Sequence, residues 1–297
     1  MSYLAVPKFV IDDWKNQYSV NSDVFTQYGL SVEEQSTFLE LVARDEEICR
    51  NFAFANAKKP EGRNPIYLAT AGAPLAGKST ELDRAVQDKD GEYYHTVRID
   101  PDVWTMKTMI HSYQGHMMSQ GLIADADSFK DAQIKAYDLC RPASNYYSLE
   151  NMNEAVERKL DIAHGTTMTS EHAGKMLDNY KNNGYDIHLI VVAAPDDIRG
   201  EASSYRQKTQ ANYQSTPEDV ISKGAAFHDR MSTYFEKADK LVLKWRTAVQ
   251  GDAEVAAIYE NGQKTVVNEE AYNDFVTFYQ GDMNACEQTY AQKFVIT

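Results

Sequence analysis

The chain has 297 residues, enough for one large domain or two small ones, and its 43% hydrophobic and 25% charged residues describe a folded globular chain, not a disordered one. A formal net charge of −14 offers no counterion release to a polyanion, so stable nucleic-acid binding is not expected. No apolar run approaches about 18 residues, so no membrane span is expected, and the three scattered cysteines, Cys49, Cys140 and Cys286, lack metal-ligand spacing and read as reduced thiols.

The opening "MSYLAVPKFVIDDWKN" has no basic stretch followed by a long apolar one, so no Sec signal is expected. The expected location is cytoplasmic, with export by a route that reads no such signal left open. Residues 1–60 read as a polar helical segment. Phe38, Leu41, Val42, Ile48 and Phe52 fall near helical spacing, and Ser31 with Glu34 spells a capping box. A polar connector, 58–65, follows.

The texture then changes. "IYLATAG" (66–72) reads as a short strand, and a helix is expected over Lys78–Gln87. "YYHTVRID" (93–100) is a second strand, followed by helical stretches near 102–118, 126–140 and 144–159. "LDIAHG" (160–165) is a third strand, and 170–184 a helix stopped by Asn182-Asn183-Gly184. "YDIHLIVVAA" (185–194) is a buried strand ending at Pro195, which opens another helix. Thr216 and Pro217 start a helix over 216–238, and "KLVLKW" (240–245) is a fifth strand. Strand alternating with helix predicts an α/β fold of the P-loop kinase type, a parallel sheet flanked by helices on both faces. Ligands in such sheets sit beyond the carboxyl ends of the strands. "VAAIYENGQKTVV" (255–267) reads as a hairpin turning at Asn261-Gly262, followed by a polar helix. Three units are therefore expected: a helical 1–60, a core 61–250, and a hairpin-and-helix extension 251–297.

The first strand runs into "AGAPLAGKST", which fits G-x-x-x-x-G-K-[ST] at Gly72, Gly77, Lys78 and Ser79. Such a loop turns backbone N–H groups inward around phosphates, and the following helix presents its N-terminus to the anion. Gly72, Ala73, Pro74, Leu75, Ala76, Gly77, Lys78, Ser79 and Thr80 are the expected cradle for ATP or GTP. Lys78 would reach the β- and γ-phosphates, and the Ser79 hydroxyl would hold Mg²⁺. The chain has no N-K-x-D to read guanine, so a GTPase is not expected. It also has no long apolar strand ending in paired acids, so neither is a motor ATPase. A small-molecule kinase fits better. "VRIDPDVW" supplies Asp100 and Asp102 at the end of the second strand, where carboxylates can hold Mg²⁺ or take a proton. The structural alternative for this pair is helix capping.

In order along about 65–245 stand "TAGAPLAGKST", "RIDPDVW", "HGTTMTS", "KMLDNYKNNGYDIHLIVVAAP", "SYR" and "STPEDV" with a later "HDRM". Together they resemble the zeta-toxin family of P-loop kinases. Those enzymes phosphorylate the 3′-hydroxyl of UDP-N-acetylglucosamine and related UDP-amino sugars, and a small antitoxin can hold them off. The resemblance implies Asp102 as catalytic base, Asp100 as metal ligand, Thr166 as a substrate contact and Arg206 as the cation on the transferring phosphate. The chain departs from the family where Glu-Gly-Thr-x-Arg becomes His164-Gly165-Thr166-Thr167-Met168. His164 then takes the place of an acid, and Met168 that of an arginine. The arginine before "TP" becomes Gln214 or Ser215, for which Arg199 is a candidate substitute, and Glu150 or Glu154 would be the remaining substrate-contacting acid. Expected partners are a nucleotide or nucleotide-sugar acceptor and an antitoxin or host protein. Three alternatives stay open: a catalytically weak nucleotide-binding effector, a structural P-loop fold with an unrelated partner surface, and a polynucleotide-end kinase, which the net charge disfavours.

Overall fold

The computed structural model describes residues 6–116, 126–209 and 217–295. Among them, seven strands form one sheet in the order β2-β3-β1-β4-β5-β6-β7. Strand β1 (Ile66–Ala71) is buried along its whole length, as a central strand covered on both faces must be. It lies between β3 (Ile162–His164) and β4 (Asp186–Ala193), and β2 (Val97–Ile99) pairs outside β3. These strands and β5 (Lys240–Trp245) run parallel, as the alternating pattern predicts. The hairpin of β6 (Glu254–Glu260) and β7 (Gln263–Val266) adds to β5 antiparallel. Its turn uses positive φ at Asn261 and Gly262.

Ten α-helices of five or more residues surround this sheet among the described residues. Three come first: α1 (Lys8–Gln17), α2 (Asp23–Gln27) and α3 (Val32–Phe54). Helix α3 starts with the predicted capping box, in which the Glu34 amide donates to Ser31 Oγ at 3.3 Å and the Ser31 amide donates to Glu34 Oε2 at 2.8 Å. Helix α4 (Lys78–Gln87) follows the phosphate loop. Beyond it lie α5 (Ala126–Glu157), α6 (Ala173–Asn182), α7 (Asp196–Thr209), α8 (Pro217–Lys237), α9 (Glu269–Tyr279) and α10 (Met283–Gln292). No helix among the described residues is long and apolar enough to cross a membrane.

Three expectations are corrected. The second strand shrinks to Val97–Ile99 because residues 91–96 turn instead: the Tyr94 amide donates to Gly91 O, and Thr96 Oγ1 donates to Tyr93 O at 2.9 Å. The helices expected at 126–140 and 144–159 are one continuous helix through Pro142. A proline inside a helix costs about 3 kcal/mol. Here it lies between Leu139, Cys140, Ala143 and Tyr147, all buried against Phe38, Val42 and Cys49 of α3, and that burial offsets the loss. The stretch after Asp100 is not a regular helix either. It forms two π-helical turns, Pro101–Thr105 and Ile110–Gln114, around a short α turn. The first is opened by the Thr105 amide donating to Asp100 O at 2.9 Å, a wide turn of the kind found at functional sites. The second is pinned by buried Asp45 of α3, which accepts from the His111 amide at 2.9 Å and the Ser112 amide at 2.8 Å. The N-terminal segment therefore braces the loop that follows the second strand.

Candidate functional site

A cleft of about 410 Å³ opens beyond the carboxyl ends of β1, β2 and β3. The phosphate loop forms its floor. Gly72 has φ +137°, and a Cβ there would collide with the carbonyl oxygen of Val192 in β4, so only glycine lets β1 turn into the loop at this close approach. Gly77 has φ +99°, and a Cβ there would strike the guanidinium of buried Arg246. Leu75 also holds a positive φ, +67°. Its side chain is buried against Ala202 and Val220, which fixes a backbone conformation that costs about 1–3 kcal/mol in isolation. The floor is tied to the third strand end, where Thr70 Oγ1 donates to Thr166 O at 2.8 Å and the Gly72 amide donates to Thr167 O at 3.0 Å.

Lys78 begins α4 and curls over the loop, its Nζ donating to Ala73 O at 2.6 Å. Burial, reinforced by the charges of Arg206 and Arg199, pushes its ammonium down to about 7. Ser79 lines the cleft beside it. Thr80 is exposed and does not line the cleft. Ala73 and Ala76 are buried beneath the loop and can face a phosphate only through their backbone.

Asp100 is buried at the end of β2. Its Oδ1 accepts from the amides of Asp102 at 3.0 Å and Val103 at 2.8 Å, so it caps the first π-turn as well as facing the cleft. Burial pushes its carboxyl up to about 7, against the pull of those amides. A Cβ on Gly165 would collide with Oδ2, so only glycine lets the end of the third strand pass this close to the carboxylate. Ser79, Asp100 and the loop suit Mg²⁺, which is held mostly by phosphate oxygens and water with one or two protein ligands. No cluster of three His, Cys, Asp or Glu side chains is present among the described residues, and such a cation needs none.

Asp102 projects from the π-turn with its side chain half exposed. Its Oδ1 accepts from the Tyr137 hydroxyl at 3.2 Å and forms an ion pair with Arg141 Nη1. Tyr137, Asp138 and Arg141 come from α5 and wall the cleft. The Tyr28 hydroxyl, just past α2, donates to Asp138, so the N-terminal segment touches this wall. Arg206 of α7 and Lys223 of α8 complete the cationic lining.

The remaining predicted residues are placed differently. Thr166 lines the cleft, but its Oγ1 already accepts from the Met168 amide at 3.2 Å. His164 lies in an adjoining cleft of about 210 Å³ that shares Thr166 and Thr167. Its Nδ1 is 2.6 Å from the Tyr67 hydroxyl, and burial pushes its imidazole down to about 4. It is a neutral, hydrogen-bonded ring. An unfolded His titrates near about 6.5, so the fold prefers the neutral ring, and that preference costs stability progressively as pH falls from about 6.5 to 4. Part of the ring stays open to the side cleft, so the loss is about 2–3 kcal/mol. Calorimetric Tm measured across that window should fall more steeply for the wild type than for His164→Gln. Equal slopes would show that His164 titrates normally.

Met168 is buried in the main core with φ +55°, its carbonyl accepting from the Tyr234 hydroxyl at 2.8 Å. No cation can act in the cleft from that side chain. Arg199 is also buried. Its guanidinium bonds Val220 O at 2.8 Å and Asp196, bracing α7 against α8 instead of lining the cleft. Gln214 and Ser215 lie outside the described residues. Glu150 lies elsewhere. It lines a separate cleft of about 460 Å³ with Lys8, Glu46, Arg50 and Glu154. It sits about two and a half turns beyond Arg141 on the same helix, which rotates it to the opposite face. Glu154 is paired there with Arg50 and Arg158.

Comparison with known proteins agrees with this architecture. The chain is similar to the solved AvrRxo1-ORF1:-ORF2 complex, with 13% identity and a TM-score of 0.53 over 97% of this chain and 90% of that one. The same complex with ATP gives 14% identity and 0.51 over 91% and 78%. A PezAT chromosomal toxin–antitoxin structure from Streptococcus pneumoniae gives 15% and 0.49 over 88% and 94%. The two AvrRxo1 likenesses show a shared fold. No curated protein matches the chain. The model of the zeta toxin family matches residues 52–271, from the end of α3 through the phosphate loop and the sheet into α9. Loop, acidic strand end and α7 arginine thus lie within one matched span covering most of the sequence, and the chain belongs to the zeta toxin family.

Proposed function

We propose that the chain is an ATP-dependent kinase that phosphorylates a hydroxyl of a small nucleotide-bearing acceptor such as UDP-N-acetylglucosamine. Family membership supports a toxin-type kinase. One observation carries the finer reading: a single cleft gathers Lys78 and Ser79 of the phosphate loop, Asp100 and Asp102 of the π-turn, and Arg206 of α7.

In this reading the loop amides, Lys78 and Arg206 hold the triphosphate. Ser79 and Asp100 would hold Mg²⁺, which neutralises charge on the β- and γ-phosphates when bound. The acceptor hydroxyl oxygen forms a bond to the γ-phosphorus as the bond to the β,γ-bridging oxygen breaks. ADP leaves, and the hydroxyl proton passes to an Asp102 carboxylate oxygen. Arg206 offsets the charge on the transferring group. Because Arg141, Arg206 and Lys223 join Lys78 in the lining, the cleft does not depend on the Met168 position for positive charge, which favours turnover over a binding-only role. The AvrRxo1-ORF1:-ORF2 likeness supports a second protein as a partner of this chain.

The test is incubation with γ-labelled ATP and a metabolite extract, with UDP-N-acetylglucosamine as the first pure acceptor, read by mass spectrometry. A new species heavier by one phosphate, formed in step with ADP, is expected. ATP binding without transfer to any acceptor would leave the effector reading in place.

A further inference from the structure

The proposed base does not rest free. Asp102 is ion-paired with Arg141 and accepts from the Tyr137 hydroxyl, and the Arg141 guanidinium lies 5.7 Å from the Tyr137 ring centroid. Only about a quarter of the Arg141 side chain is exposed, against half of Asp102. Its Oδ1 already accepts from both Arg141 and the Tyr137 hydroxyl, so the oxygen that would take a proton is occupied by two donors. If Asp102 takes a proton from the acceptor, Arg141 must first find another partner. A guanidinium matches phosphate and carboxylate oxygens with two parallel bonds, and stacking on an aromatic ring sets its plane. The other carboxylate on this wall, Asp138, is engaged by the Tyr28 hydroxyl.

We propose that Arg141 reads an anionic phosphate or diphosphate group on the acceptor, and that this contact draws it off Asp102. This rests on the kinase reading above for the identity of the second ligand as an acceptor. Arg141 is then a positioning and specificity residue: it binds the acceptor away from the reacting hydroxyl and couples that binding to release of the base. Acceptors with a phosphate are preferred, because a neutral sugar leaves the Arg141–Asp102 pair intact.

The probe is inorganic pyrophosphate, titrated calorimetrically into full-length protein already saturated with a non-hydrolysable ATP analogue. Pyrophosphate should bind the wild type, about tenfold more weakly to Arg141→Ala, and with intermediate affinity to Arg141→Lys. Asp102→Asn should bind it several-fold more tightly, because it removes the competing carboxylate; a purely structural ion pair would not do this. Affinity for the ATP analogue should stay within about twofold in both Arg141 variants, which also reports that they fold. Equal pyrophosphate affinity in wild type and Arg141→Ala overturns the proposal, as does no pyrophosphate binding at all. A loss of ATP-analogue affinity in Arg141→Ala overturns it too, by assigning the arginine to the donor. Should the pyrophosphate results hold while no acceptor is ever phosphorylated, the kinase reading fails and the anion site stands.

Discussion

Lys78→Ala is expected to lower phosphoryl transfer by about 10²–10³-fold or more, the range seen when one preorganised donor to developing charge is removed. Gly72 and Gly77 take conformations that exclude a side chain, and Leu75 is forced to positive φ by its anchor in the Ala202–Val220 contact. The loop is therefore held open in advance, with Lys78 Nζ resting on the Ala73 carbonyl until a phosphate replaces it. Burial and two arginine charges push the ammonium down to about 7. An arriving triphosphate reverses that balance and raises the value. Between pH 7 and the raised value, ATP binding must therefore take up a proton. Calorimetry at pH 8, without added metal and in buffers of different ionisation enthalpy, should show that uptake in the wild type and its absence in Lys78→Ala. Transfer persisting undiminished in Lys78→Ala would remove this loop from the chemistry.

How much of this was legible before any coordinates depended on the range of the interactions. The phosphate loop and α4 follow from residues adjacent in sequence: two glycines, a lysine and a serine in fixed spacing. Strand β5 and the Asn261-Gly262 hairpin were equally local, and the structure places them at or within a residue or two of their predicted bounds. The failures arose where distant contacts decide. Pro142 signals a helix break, yet α5 runs through it, since packing against α3 outweighs the local cost. Asp100 predicts a helix N-cap and does cap one, but the turn it opens is a π-turn that aims Asp102 at α5.

The same limit applies to the site. Asp100, Asp102, Thr166 and Arg206 reach the cleft because strand ends and a helix face bring them there, as their positions in the pattern imply. Arg141 carried no local signal. Its partner lies 39 residues away in sequence, and "CRPAS" spells no motif. Glu150 lies away from this cleft for a related reason: order along a helix does not say which face an acid presents. Met168 stands where the family has one arginine, and Arg199 is the candidate substitute for a different one, at Gln214 or Ser215. The structure turns both inward, Met168 into the main core and Arg199 into the contact between α7 and α8, and the cleft draws its extra cations from α5 and α8 instead.

Asp102→Asn is expected to lower kcat by about 10²–10⁴-fold, the usual contribution of a positioned general base, while leaving affinity for the ATP analogue unchanged. Asparagine preserves the shape and can still meet the Tyr137 hydroxyl, but it cannot take a proton. The rival base is Asp100, whose carboxyl already sits at about 7 and so could exchange a proton near neutrality. Geometry argues against it. Oδ1 is committed to the amides of Asp102 and Val103, Oδ2 packs against Gly165, and the residue lines the cleft with Lys78 and Ser79 of the phosphate loop. Asp102 is half exposed toward the α5 wall, where an acceptor has room to enter. The two carboxylates therefore predict different defects. Asp100→Asn should weaken metal-dependent nucleotide binding and loosen the π-turn, raising the concentration of Mg²⁺ needed for half-maximal activity. Asp102→Asn should leave that requirement alone and slow the chemical step, a split that single-turnover measurement with saturating ATP and acceptor resolves. If Asp102→Asn turns over at the wild-type rate while Asp100→Asn loses the proton-transfer limb of the pH–rate profile, the roles are reversed, and the Arg141 pair would be guarding a substrate contact, not the base.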